Sequence, residues 1–522
     1  MDTPGPMTVP DCPPVPALPL ARANGTRESL PVAVWLIAVA AYAVELAVAG
    51  RYGYDRDELY FLVAGQHPAV GYVDQPALTP LLARLAALLT GDTLVGLRAV
   101  AGLGLPLVVA LTASMARMLG ASRPGQTVAA LAVPCCGEYL GVFHRFTTTT
   151  VDFAFWAVLL WLVVRLLTTG DRRWWLAIGV VAGIALNAKW NIAFLIAGLA
   201  IGFAFTSAPG EGRPRARRAG GRHLLAAVVI TVAAIAPDII WQVVHGVPNI
   251  GVFRHLQQVA WELRLVYWPA QVFYTSIVLA PLWARGLHRL LRDAQLRPAG
   301  IAAATVLGMQ FLLGGKPYYP AGIYPLLFAA GAAGLSLTAA RVARYCTAGA
   351  LATLISLPVL PAAALAFRLP FFSPPTTPGI SPLQEVNPEL GEQVGWPREV
   401  SLVASVYKSL PPARRGRTVI LAGNYGEAGA IDHFGPALGL PQAYSGHNNF
   451  WLWGPPPAGD TEAVAIGVDP SVLRATFTSV RQVAVYTNGL GIGNLEEGTP
   501  VYVASGLRVS WAAAWPAFRH YD

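Results

Sequence analysis

The stretch YGYDRDELYFLVAGQHPAVGYVDQPALTP, residues 52–80, follows directly on an apolar segment at 31–50 and holds Asp55, Asp57, Glu58, His67 and Asp74. Acid packed this densely beside a hydrophobic span is costly unless it faces water or a polar cleft. Two readings fit. One is a solvated loop between two membrane helices. The other is a short amphipathic segment on the membrane surface, presenting carboxylates to a molecule held at the lipid boundary.

The surrounding chain decides the class. Of its 522 residues, 54% are hydrophobic and only 12% charged, whereas a soluble protein carries about a quarter charged residues. Apolar runs of about 16 to 22 residues recur, each long enough to cross a bilayer. They fall at 31–50, 95–119, 126–143, 150–168, 174–189, 190–207, 224–245, 270–286, 299–314, 320–338 and 346–368. The expected fold is therefore a polytopic α-helical membrane protein of about eleven transmembrane helices, over residues 29–369, with a first outer loop at 51–94. Residues 1–28 are Pro-rich and read as a disordered cytoplasmic tail, with no cleavable signal.

The balance of 37 Lys+Arg against 28 Asp+Glu gives +9. These cations sit in short inter-helix loops at 116–126, 165–174, 209–223, 285–298 and 340–345, which predicts those loops and the N-terminus on the cytoplasmic side. Orientation in the bilayer, not nucleic-acid binding, accounts for the charge. The opposite side receives residues 52–80, 246–268, the turn GGKPYYP (314–320) and everything after about residue 370. Beyond the linker SPPTTPGISP (373–382), residues 370–522 read as a small extracytoplasmic α/β domain. TVILAGNYGEAGAI (418–431) gives a strand, a tight turn and a helix start; VRQVAVYTN (480–488) and TPVYVASGL (499–507) give further strands. The segment YSGHNNFWLWGPPP (444–457) has the aromatic and amide composition of a sugar-stacking surface, and equally that of an aromatic core. Cys12, Cys135, Cys136 and Cys346 show no metal spacing or disulfide framework.

With orientation fixed, several ionisable residues fall on the outer side. Asp57 and Glu58 lie in the first loop, Asp152 opens the fourth span, Lys189 lies in LNAKWN (186–191), Asp238 is in the seventh span and Lys316 is in GGKPYYP. Each alone reads as a satisfied interior charge or a snorkelling side chain. Converging from separate helices at one depth, they point to a shared cleft, because each buried charge must be paired or used. A lysine there neutralises a departing phosphate, and an aspartate takes a proton from an attacking hydroxyl. Direct displacement at an anomeric carbon inverts configuration and needs a single base.

These motifs together resemble the GT-C glycosyltransferases, in the protein O-mannosyltransferase and aminoarabinose-transferase-like group (family 39-like) that uses polyprenyl-phosphate sugars. RDELYFLVAG (56–65) is similar to the group's first-loop Asp-Glu motif and the juxtamembrane helix after it. GYVDQPALTPLLARL (71–85) resembles the next segment, with Ala77 in place of a second proline. TTTTVDFAFW (147–156) resembles a later acidic position, falling on Asp152. LNAKWN resembles a Thr-Lys-Gly turn, with Trp190 and Asn191 for the usual small residues, and GGKPYYPAGIYPLL resembles a Lys-Pro-aromatic-Tyr stretch. The C-terminal region resembles that of actinobacterial members.

The resemblance implies Asp57 as general base supported by Glu58, with Asp152 orienting acceptor or sugar. It implies Lys316, Lys189 and Tyr319 at the donor phosphate, and Asp55, Asp74, Gln75 and Tyr318 at the substrate. Tyr60 stands where some relatives place an arginine. Some relatives hold a metal near the position of Asp74 with a histidine from a later loop, here His245 or His255. One carboxylate and one imidazole do not make a metal site, so no cofactor is expected to be required, a divalent metal being the one candidate. The expected partners are the bilayer, a polyprenyl-phosphate sugar donor and an extracytoplasmic acceptor, in a bacterial plasma membrane. A transporter or flippase of lipid-linked sugar is the alternative, yet the chain shows no paired repeats and its acids lie on one side rather than at the midplane. A non-catalytic glycan-binding membrane protein is the third reading.

Overall fold

The computed structural model describes residues 29–206, 221–335, 388–489 and 494–521, together with Arg341, Arg344, Ala348 and Gly349. The expected N-terminal tail, the 373–382 linker and most of the 346–368 segment lie outside the described residues.

Among the described residues up to 335, sixteen α-helices run in order: α1 (Val32–Val48), α2 (Arg56–Gln66), α3 (Leu78–Thr90), α4 (Leu94–Gly102), α5 (Gly104–Met118), α6 (Arg123–Ala132), α7 (Gly137–His144), α8 (Thr148–Thr169), α9 (Trp174–Leu186), α10 (Ile192–Phe205), α11 (Gly221–Val244), α12 (Asn249–Gln258), α13 (Ala260–Tyr274), α14 (Ala280–Arg292), α15 (Arg297–Leu312) and α16 (Tyr324–Ala332). Among the described residues, Leu94–Met118, Thr148–Thr169 and Gly221–Val244 are long and apolar enough to cross a membrane. The count rises to five if the bent pairs 123–144 and 260–292 each form one span. The continuous segment expected at 270–286 is instead broken by an 81° bend, where Ser276 sits at φ +68°.

The bundle core is continuous from α1 through α16, built on Leu105, Val109, Phe153, Trp156, Leu160, Val306 and Phe328. α5 packs on α8, α9 on α11, and α10 on α15. The turn before α8 is set by sequence: Thr147 accepts from Thr150 N while the Thr150 hydroxyl accepts from Thr147 N, and Gly170 closes the helix at φ +70°. Such reciprocal caps satisfy the orphan amides of a first turn.

At one end of the bundle sits a five-stranded sheet of order β2-β1-β3-β5-β4, with β1 (Thr418–Ala422), β2 (Ala443–Ser445), β3 (Glu462–Ile466), β4 (Phe477–Val485) and β5 (Pro500–Leu507). β1 runs parallel to β2 and β3, and β5 is antiparallel to β3 and β4. TVILA is buried throughout, both faces of β1 being covered. Val419 and Leu421 point to a core with Trp511, Trp515 and Phe518. Ile420 and Ala422 point the other way, into a core shared with α17 (Trp396–Ser409), α18 (Tyr425–Phe434) and Leu59, Tyr60, Phe61 and Ala64 of α2. The first acidic stretch and the C-terminal sheet are thus halves of one hydrophobic core.

Candidate active site

Three helices begin beside one another at this junction. α2 starts at Asp55, whose carboxylate accepts from Asp57 N (3.0 Å), while Asp55 N donates to Glu58 Oε2 (2.8 Å). α18 starts at Asn424 with the same reciprocal cap to Glu427. α8 starts just after Arg145 and Phe146, and these reach back to α2: Arg145 Nη1 pairs with Asp55 Oδ2 (2.7 Å) and Phe146 N donates to Glu58 Oε1 (2.9 Å). Converging helix N-termini give a region of positive potential.

Two polar clusters occupy the junction. The first lies against the sheet. Asp57, half-buried, accepts a hydrogen bond at Oδ1 from the Tyr425 hydroxyl (2.9 Å). Asp74 accepts at Oδ1 from the Tyr60 hydroxyl (3.0 Å), and the Tyr60 and Tyr425 rings lie 4.8 Å apart. Asn449 Oδ1 receives Val73 N (2.6 Å) and the Tyr60 hydroxyl (3.4 Å), clasping the 71–76 loop. Burial pushes the Asp74 carboxyl up to about 7, the Tyr60 hydrogen bond opposes the rise and the neighbouring Asp57 charge adds to it.

The second cluster lies one helical turn into α8. Asp152 is fully buried, and its oxygens accept from Trp156 Nε1 (2.9 Å) and Asn191 Nδ2 (3.0 Å). Asn191 also donates to the Tyr319 carbonyl (2.9 Å) and accepts from Gln310 (2.8 Å). Lys189 Nζ donates to Thr149 Oγ1 (2.7 Å) and lies 5.0 Å from the Tyr319 ring centroid and 5.7 Å from that of Tyr318. Lys316 heads the same turn, half-buried, its carbonyl accepting from Tyr319 N (3.0 Å). The 71–80 loop joins the two clusters: Leu78 N donates to Asn187 O (2.8 Å) and Thr79 Oγ1 to Ala188 O (3.3 Å).

Asp57 and Asp74 therefore meet in one cluster, and Asp152, Lys189, Tyr318 and Tyr319 in the other. Asp55 and Glu58 are engaged differently. Asp55 is the cap of α2 and the partner of Arg145, and Glu58 is gripped on both oxygens by Arg98, Phe146 N and Asp55 N. Gln75 is buried with neither side-chain polar atom hydrogen-bonded. Asp238 accepts from Trp190 Nε1 (2.8 Å) and lies under Gly71, where an added Cβ would stand 2.5 Å from Asp238 Oδ1. Among the described residues, no group of three or more His, Cys, Asp or Glu side chains is disposed to hold a metal. His245 stacks on Trp241 at 4.1 Å instead. An apolar cavity of about 700 Å³ between α8, α9, α10 and α11 is lined by Leu159, Trp175, Ile178 and Phe203, away from these charges.

Sequence reasoning missed Tyr425, Asn449, Arg98 and Asn191. Asn191, an amide inside an apolar run, and Asn449, within the amide- and aromatic-rich 444–457, had local signals. The rings of 444–457 serve packing: Trp453 stacks on His67 at 4.3 Å, and Trp451 and Trp515 exchange indole-to-carbonyl hydrogen bonds of 3.1 and 3.0 Å.

Residues 74–241 match the family described as dolichyl-phosphate-mannose-protein mannosyltransferase. That segment includes Asp74, Asp152 and Lys189 but neither Asp57 nor the sheet. No curated protein matches the chain. Among solved structures, ArnT from Cupriavidus metallidurans in the apo state is similar at 15% identity and a TM-score of 0.56, over 90% of this chain and 97% of that one. ArnT from the same organism bound to undecaprenyl phosphate is similar at 16% identity and a TM-score of 0.52, over the same shares. Arabinofuranosyltransferase AftD from Mycobacteria, as a mutant, aligns at 13% identity and a TM-score of 0.45, over 92% of this chain and 42% of that one.

Proposed function

We propose that this chain, whose fold is that of the GT-C glycosyltransferases, moves a sugar from a polyprenyl-phosphate donor to an acceptor hydroxyl, with inversion at the anomeric carbon. The reading is supported above all by two half-buried acids, Asp57 and Asp74, held by tyrosine hydroxyls in one cluster, with Lys189 lodged against the Tyr318 and Tyr319 rings at the head of α8 in the next. The neighbour bound to undecaprenyl phosphate supports the donor class. The junction with the sheet then faces the extracytoplasmic side of a bacterial plasma membrane, with the N-terminus inside.

Asp57 is the base. As a carboxylate it takes the proton of the acceptor hydroxyl as that oxygen bonds to the anomeric carbon. The bond from that carbon to the phosphate oxygen breaks, and the electron pair leaves with the polyprenyl phosphate. Lys189 and Lys316, with the α8 N-terminus, offset the charge gathering on the leaving phosphate. Asp152, tied through Asn191 to the Tyr318–Tyr319 turn, orients the sugar. Glu58 and Asp55 position α2 and stay out of the reaction. Among the described residues no carboxylates and imidazoles are grouped to hold a metal, so no step is routed through one.

The test is transfer of a labelled sugar from polyprenyl phosphate by the purified full chain to lipid, glycan or peptide acceptors. Asp57→Asn is expected to abolish transfer while donor binding persists. Full turnover by that variant removes Asp57 as base, and donor translocation without transfer by the native chain replaces the enzyme with a flippase.

A further inference from the structure

The base proposed above is held from the far end of the chain. Tyr425 lies 368 residues from Asp57, outside the segment that matches the mannosyltransferase family. It occupies the first turn of α18, immediately after the Asn424 cap, so its backbone is fixed before its side chain is considered. The ring is 8% exposed and is hemmed in on several sides. The Tyr60 ring lies 4.8 Å away, the His447 ring 4.7 Å, and the Arg56 guanidinium 5.1 Å from its centroid. From this enclosure the hydroxyl donates to Asp57 Oδ1. Approach of the two helices is permitted by Gly426, where a Cβ would stand 2.9 Å from Arg56 Cβ, and by Gly429, at 3.0 Å from Leu59 Cβ. Asn449 adds a second clasp, on the loop that carries Asp74.

We propose that Tyr425 is a positioning residue for the transfer reaction, its hydroxyl fixing the plane of the Asp57 carboxylate and tuning its basicity, so that the C-terminal sheet is a working part of the catalytic unit. The inference rests on the reading of Asp57 as the base. Asp57 is faced by Arg56 and Asp55 on its own helix and cap, by Asp74 from the 71–76 loop, and by Tyr425 from α18; Glu392 stands beyond Arg56 at 3.9 Å. Within that set, Tyr425 donates to the ionised carboxylate and so favours it. Its loss lets Asp57 hold a proton to higher pH and rotate away from the attacking geometry.

Tyr425→Phe in the full chain deletes the hydroxyl alone. Transfer kinetics across pH, donor affinity for undecaprenyl phosphate and the detergent-phase Tm are read together. The expected result is a kcat lower by about 10- to 100-fold from misplacement of the base, with the acid limb of kcat/KM moved upward and donor affinity unchanged. A fluorinated tyrosine at position 425, a stronger donor of the same shape, is expected to move the acid limb downward, and this second variant answers the question if the phenylalanine protein folds poorly. Native kcat and acid limb in Tyr425→Phe overturn the inference. So does a fall in both Tm and kcat with the pH profile unmoved, which marks a merely structural contact. If Asp57→Asn is inactive while Tyr425→Phe is native in both respects, the inference alone falls; if Asp57→Asn is fully active, the functional reading falls first.

Discussion

Arg98 holds Glu58 through two parallel hydrogen bonds, Nε to Oε1 at 3.0 Å and Nη2 to Oε2 at 2.9 Å, with both side chains all but closed to solvent. The same guanidinium reaches the carbonyls of Ala49, Arg51 and Gly53 and the side chain of Gln393. It thus ties the end of α1, the turn into α2 and the C-terminal segment into one knot. Arg98→Ala strands a buried carboxylate, a change that typically costs about 3–5 kcal/mol. A melt of the detergent-solubilised protein is expected to show a large fall in Tm. Arg98→Lys is expected to recover little of it, because an ammonium cannot reproduce the fork. A near-native Tm in Arg98→Ala means that the knot is not what holds the junction.

Lys189 is placed for charge rather than shape. Its ammonium rests on Thr149 at the head of α8 and beside two tyrosine rings, so removing it leaves the local packing largely filled. Lys189→Met is expected to weaken binding of undecaprenyl phosphate by about 10- to 100-fold, equivalent to about 1.4–2.8 kcal/mol. Binding by the native chain should weaken with added salt, and binding by the variant should respond less. Asn191→Ala should behave differently, lowering kcat more than donor affinity, since it frees Asp152 and the Tyr319 turn. Equal donor affinity in native protein and Lys189→Met removes this lysine from the phosphate.

The sheet carries an unusual set of buried acids. Burial pushes Glu392 up to about 8 and Glu427, Glu496 and Asp432 up to about 7, and it raises Glu399 well above the usual carboxyl range. Their mutual repulsion adds to several of these shifts, and neither Glu399 oxygen has a hydrogen-bond partner. Each group binds its proton more tightly folded than unfolded. Their contribution to stability is therefore full below the ordinary carboxyl pKa and declines as pH rises through about 7 to 8. The Tm is expected to fall between pH 6 and 8.5, and Glu399→Gln, which keeps the volume, is expected to raise the Tm at pH 8 and flatten that slope. A Tm that climbs across the same interval contradicts this account.

How far the sequence revealed this arrangement depended on the range of each interaction. Hydropathy marked runs that coincide with helices such as α1, α8 and α11, while the run at 270–286 is broken at Ser276. The α/β character of 418–507 followed from TVILA and the turn after it, which are local. The family resemblance, drawn from five short motifs, agrees with the match over 74–241 and with the ArnT fold. Asp57 and Asp74 were picked out as acids, but Asp55 and Glu58 were grouped with them although the D-x-x-E spacing is itself a helix-capping signature. Arg98, by contrast, joins Glu58 across 40 residues and Gln393 across 295, and Asn449 reaches Val73 across 376. Such pairings are fixed by tertiary packing, on which hydropathy and local motifs are silent.

The contact of α2 with α18 offers a test of whether that packing, and not the chemistry of individual groups, sets the site. At Gly429 a Cβ would meet Leu59 at 3.0 Å from its Cβ and 3.1 Å from its backbone carbon. Alanine in a helix interior gains about 1 kcal/mol over glycine, whereas overpacking a closed contact costs about 1–3 kcal/mol. The two nearly offset for Gly429→Ala, whose Tm should stay close to native. Gly429→Leu has no such compensation, because the neighbour is backbone and cannot swing aside. It must separate α2 from α18, lowering the Tm and breaking the Tyr425–Asp57 hydrogen bond at the same time. Transfer activity measured well below the melting range should then fall further than in Tyr425→Phe, since Asp57 and the Asn449 clasp are displaced together. A Gly429→Leu protein with native activity and Tm shows that the sheet rides on the bundle without shaping the site.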